Sequence, residues 1–63
     1  GGYDYGDLSD ARAKNRLFFH FNREQQAQMV QDYYRLQHGK YAKYGATQDE
    51  LLPYITDLNE DRI

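Results

Sequence analysis

Residues 22–39 carry every signal that one helix needs, and no other stretch of the chain is as fully specified. Asn22 suits the N-cap, because its side-chain oxygen accepts from a first-turn amide, and Gln25 three residues on completes a capping box. Gly39 supplies the left-handed residue on which such helices end. Stepping around the helix by about 100° per residue gathers Ala27, Val30, Tyr33 and Tyr34 on one side, with Met29 and Leu36 widening the band. That side is expected to be core or interface. Glu24, Gln28, Gln31, Asp32 and Arg35 fall opposite, an ordinary solvated pattern on helix physics alone, with Asp32 and Arg35 spaced for a weak ion pair.

Little material is left to cover this helix. At 63 residues the chain is at most one small unit, and folding at this length buries only about 60% of the unfolded surface. With no cysteine, disulfides and thiolate-held metals are closed, which leaves a partner, a His/carboxylate metal or very good packing. The expectation is a non-autonomous unit that leans on a protein partner or on the remainder of a parent protein. A formal charge of −2, from 8 basic and 10 acidic residues with the signs interspersed, gives no basic stripe, so nucleic acid is disfavoured. No apolar run approaches the roughly 18 residues of a membrane span, and the N-terminus lacks a signal-peptide pattern. Seven Tyr and three Phe in a hydrophilic background supply broad amphipathic surfaces with little aliphatic core. Such a composition suits a docking piece as well as a small tyrosine-rich core.

The expected fold class is α+β and mainly helical: an aromatic β-hairpin over residues 3–21, the central helix over 22–39 and a second helix over 47–60, after a flexible leader at 1–2. Tyr3 and Tyr5 alternate with acidic or small residues, and alternation over 16–21 sends Leu17, Phe19 and Phe21 to one face, with Phe18 and His20 on the other. Residues 9–15 read as the hairpin loop or as a helical turn capped by Ser9, with the loop preferred. An all-α small bundle is the alternative if residues 9–19 are helical. His20 reads as a packing residue in preference to a metal ligand or acid/base group. Residues 40–46 form a basic connector, a helical turn or a loop held down by Tyr41 and Tyr44. Thr47 and Glu50 make a second capping box, so the second helix starts at Gln48 with Leu51, Leu52, Ile55 and Leu58 at helical spacing. Pro53 deletes a backbone bond to Asp49, which predicts a kink or restart, and the charged tail at 59–63 is expected to fray.

Tyr3-Asp4-Tyr5, followed by the run from Phe19 through Glu24-Gln25-Gln26-Ala27 to Asp32-Tyr33-Tyr34, resembles the C-terminal segment of zinc-metallopeptidase-like domains in bacterial Rhs and type VI secretion-related effectors. The resemblance covers roughly residues 3–36 and implies an aromatic hairpin followed by a helix that seats against the catalytic half. In such domains an upstream helix carries His-Glu-x-x-His, and a downstream helix commonly adds a carboxylate as third zinc ligand. By position that ligand is Glu24, with Gln28 or Asp32 in a supporting shell and Ala27 allowing close approach of the ligand helix. Export from a bacterial cytoplasm by a secretion system is implied with it. This chain has only His20 and His38, neither in a His-Glu-x-x-His, so zinc is implied only with ligands from another chain or segment.

Two functions follow. The chain contributes a helix and a carboxylate to a zinc-peptidase-like effector domain, or it is a small non-enzymatic module that binds a protein through a tyrosine-rich apolar face. The partner-binding residues expected are Val30, Tyr33, Tyr34, Leu51 and Ile55. A self-contained enzyme is disfavoured, since no nucleophile and base stand out as a pair.

Overall fold

At the centre lies a helix built from residues 48–59, and the other elements pack around it. The structure, a computed structural model, describes residues 2–62. Gly1 of the expected leader and Ile63 of the expected frayed tail lie outside the described residues. In chain order the elements are α1 (Leu8–Ala13), a 3-10 turn (Phe18–His20), α2 (Arg23–Gln37) and α3 (Gln48–Asn59). The radius of gyration is 10.6 Å, which is what a compact chain of this length gives.

The central element, α3, starts where the capping box places it. The Glu50 amide donates to Thr47 Oγ1 at 3.1 Å, and the Thr47 amide donates to Glu50 Oε1 at 2.9 Å. Its inner face carries Leu51, Tyr54 and Asp57, each fully buried at i, i+3, i+6, and it packs on α1, the 3-10 turn and α2. Pro53 interrupts nothing: α3 runs through it to Asn59, so the expected restart is absent. Only the amide of Pro53 is missing from the ladder, and its half-buried ring lines an open groove against α1.

Among the described residues there is no strand, and the expected hairpin over 3–21 is replaced by an N-terminal arm (residues 2–7), α1 and the 3-10 turn. The fold is the all-α alternative. Asp7 caps α1, accepting from the Asp10 amide at 3.0 Å, and Leu8 and Ala11 at i, i+3 are buried against α3. Ser9, the other candidate cap, lies inside the helix and donates to Glu50 at 2.8 Å. Phe18 and Phe21, rather than alternate residues, are the buried members of the aromatic run. Three residues per turn set them on one side, where Phe21 meets the Tyr54 ring edge-on at 5.5 Å. A lone two-stranded hairpin would have left one aromatic face in water.

Both caps of α2 form as expected: the Gln25 amide donates to Asn22 Oδ1 at 2.7 Å and the Asn22 amide to Gln25 Oε1 at 2.9 Å. Its end is a Schellman motif, with the Gly39 amide donating to the Leu36 carbonyl at 3.2 Å and the Lys40 amide to the Arg35 carbonyl at 2.8 Å. Gly39 takes the left-handed position at φ +73°. The same two bonds close α1 through Asn15 (φ +61°) and α3 through Asp61 (φ +57°).

The faces of α2 differ from the expected ones. Gln28, Met29 and Asp32 are buried, with Tyr33 and Leu36 packed on the core, whereas Val30 and Tyr34 are exposed. The helix is rotated relative to a simple apolar wheel because a polar group on its inner side finds partners there. Residues 38–46 form a loop, held by Tyr44, whose ring meets Tyr5 edge-on at 5.7 Å; Tyr41 is 85% exposed and holds nothing down.

Candidate functional site

Two buried carboxylates organise the interior, and a third, exposed one marks the outer face of α2. Asp57 on α3 accepts from both terminal nitrogens of Arg12 at 2.6 and 3.0 Å and from the Phe18 amide at 3.1 Å, so it ties α1 and the 3-10 turn to the central helix. The Arg12 guanidinium holds the Asp57 carboxyl below its ordinary value, against the opposing effect of burial. Sequence reasoning missed this pair. Arg12 and Asp57 sit on different helices 45 positions apart, and nothing local marks either one.

Asp32, on the inner side of α2, is fully buried and accepts four hydrogen bonds. Gln28 Nε2 donates at 2.7 Å and the Lys43 amide at 3.0 Å to Oδ1, while the Tyr5 hydroxyl and, at 3.4 Å, the Tyr44 amide donate to Oδ2. Burial first, and then the bond to Asp32, push the Tyr5 hydroxyl above the ordinary phenol range, so it stays a donor. No buried side-chain nitrogen or oxygen among the described residues lacks a partner. Asp32 and Gln28, the expected supporting shell, are therefore occupied with the N-terminal arm and the 38–46 loop on the side of α2 away from solvent.

The outer face of α2 is exposed at Arg23, Glu24, Ala27, Val30, Gln31 and Tyr34. Glu24, Ala27, Gln31, Tyr34 and His38 follow one another at three- and four-residue steps, so they form one stripe with Val30 at its edge. Tyr34 is 61% and Val30 41% exposed, and the Tyr34 and His38 rings lie 4.2 Å apart between centroids. Glu24, in the first turn, has no side-chain hydrogen bond or ion pair among the described residues. Its neighbour Gln25 is held instead, donating from Nε2 to the Asp4 carbonyl at 3.0 Å.

The remaining expected partner residues separate. Tyr33 and Ile55 are half-buried, and Leu51 is fully buried inside this chain, which removes it from any docking surface. His20, expected as a packing residue, is exposed instead, and its Nδ1 accepts from the Leu17 amide at 2.9 Å. Among the described residues no three His, Cys, Asp or Glu side chains come together as a metal site, and Glu24 stands as a single carboxylate. In the groove between α1 and α3, Arg12 is committed to Asp57 and Glu50 to Ser9 and Thr47, while the exposed Asp49 lies at its edge beside Leu8, Ala13 and Pro53. No helix among the described residues is long and apolar enough to cross a membrane. In comparisons with known proteins, no family model, no curated protein and no solved structure matches this chain.

Proposed function

We propose that the outer face of α2 is the working surface of this chain, and that it seats against the zinc-binding half of a zinc-metallopeptidase-like domain of the bacterial Rhs and type VI effector kind, with Glu24 as the carboxylate it contributes. The observation that carries the proposal is the position of Glu24: exposed, in the first turn of a doubly capped helix, with no side-chain partner among the described residues, and one turn from exposed Ala27. A helix anchored on its other side by Asp32 presents that carboxylate with little freedom in its backbone. The small side chain of Ala27 lets a second helix approach closely. Zinc, when bound, supplies Lewis acidity and an activated water; this chain's part is to hold one oxygen donor in place, and the histidines belong to another segment or chain.

A second function rests on Val30 and Tyr34. Two exposed apolar side chains on one helical stripe, with a histidine ring tilted against the tyrosine, also suit a module that only binds a protein. The test joins the two. A polypeptide carrying the His-Glu-x-x-His half is co-expressed with this chain, and co-purification is followed for the unmodified chain, Tyr34→Ala and Glu24→Gln. The proposal expects co-purification that Tyr34→Ala weakens and a zinc content that falls in Glu24→Gln. A complex weakened by Tyr34→Ala alone, with zinc unchanged in Glu24→Gln, assigns the chain to simple docking; no complex with that half contradicts the zinc-peptidase reading.

A further inference from the structure

The N-terminal arm and the 38–46 loop are far apart in sequence, have no regular secondary structure, and meet on one carboxylate. Along the arm, the Gly2 carbonyl accepts from Asn22 Nδ2 at 3.5 Å, the Asp4 carbonyl accepts from Gln25 Nε2 at 3.0 Å, and the Tyr5 hydroxyl donates to Asp32. The arm thus lies along the first turns of α2. In the loop, the Lys43 and Tyr44 amides donate to the same Asp32, and the Tyr44 ring packs edge-on against Tyr5. We propose that the arm and the loop are a two-part strap buckled on Asp32, which opens and closes as one unit and leaves the remainder of the fold intact.

Three features support a single opening event. Asp32 is fully buried and bonded to both segments, so withdrawing either segment admits water to its carboxylate and weakens the bonds to the other. Tyr5 and Tyr44 share a ring contact, so each also loses packing when the other leaves. The second carboxylate hub, Asp57, lies on α3 and binds α1 and the 3-10 turn, with no hydrogen bond to either part of the strap. Segments with few internal backbone bonds open at lower free energy than packed helices. The strap runs beside the turn that bears Glu24, so its opening changes what borders that end of α2 whether the occupant is a zinc-bearing domain or only a protein.

Amide hydrogen exchange on the whole chain tests this. In the unmodified protein the Lys43 and Tyr44 amides should exchange through one shared opening, at least about tenfold faster than the Leu51 amide of α3. Tyr5→Phe keeps the ring and removes only the hydroxyl, and it should speed exchange at Lys43 and Tyr44 about fivefold or more while Leu51 changes less. Asp32→Asn, a second variant of the same shape, should speed both amides further. Unchanged exchange at Lys43 and Tyr44 in Tyr5→Phe overturns the coupling, and an equal acceleration at Leu51 overturns the separation from the core. Different opening rates for the two amides in the unmodified protein overturn the strap even where neither variant folds.

Discussion

Arg12 and Asp57 form a two-pronged ion pair across 45 positions of sequence, with both guanidinium terminal nitrogens on one buried carboxylate. Breaking such a pair by removing one member strands the other, and the stranded group is what costs stability. Arg12 retains some exposure, 30% for its side chain, whereas Asp57 has none. Arg12→Met should therefore lose about 3 kcal/mol, at the lower end of what stranding a buried charge costs. The urea midpoint of Arg12→Met against the unmodified chain measures it, and an unchanged midpoint contradicts the role given to the pair.

Acid should expose the same pair. The folded Asp57 carboxyl lies below its ordinary value because of Arg12, so the unfolded chain takes up a proton first as pH falls. Its contribution is complete above the unfolded value of about 4 and is lost as pH drops through the lower folded value. Glu50, also held low by the Thr47 amide and the Ser9 hydroxyl, adds in the same direction. Stability should be flat from neutrality to about pH 5 and fall below about pH 4, and the fall should be shallower in Asp57→Asn. Equal slopes for the two proteins remove Asp57 from the explanation.

On the Asp32 side, Tyr5→Phe should cost about 1–2 kcal/mol, since it removes a buried charge-assisted hydrogen bond while keeping the ring. Thermal unfolding should then shift by roughly 4–16 °C for a domain of this size. A shift near zero would mean that the remaining three donors suffice for Asp32.

The helix ends were legible in the sequence because they are local. Asn22 with Gln25, Gly39, and Thr47 with Glu50 act within four residues of one another, so α2 and α3 begin where their caps stand. The hairpin failed for the opposite reason. A short run such as Leu17–Phe21 satisfies alternation and a 3-10 turn alike, and the choice is made by Tyr54 and Asp57, more than thirty residues away. Asp7, two positions before the Ser9 candidate, is the residue whose carboxylate caps α1. The inward turn of Gln28 and Asp32 had no local sign either, since an acid on a helix wheel counts as solvent-facing until Tyr5 and two loop amides are known to meet it. Glu24 takes its expected exposed position because it lies on the part of α2 that none of the described residues covers.

Substitution on the outer stripe should separate stability from binding. Tyr34→Ala and Val30→Ser remove exposed side chains, so each should change the unfolding free energy by no more than about 0.5 kcal/mol. Circular dichroism melts of the two variants check this, and a loss of 2 kcal/mol or more, roughly the size of a core deletion, would mark the stripe as part of this chain's own packing.

The most direct test of the role proposed for Glu24 is zinc affinity, measured by competition with a chromophoric chelator for the unmodified chain and Glu24→Gln, each co-expressed with a polypeptide that carries a His-Glu-x-x-His motif. Loss of a ligand should weaken zinc binding by at least about tenfold, while the melting curve of this chain alone stays the same. Equal zinc affinity in the two proteins would contradict the assignment of that carboxylate.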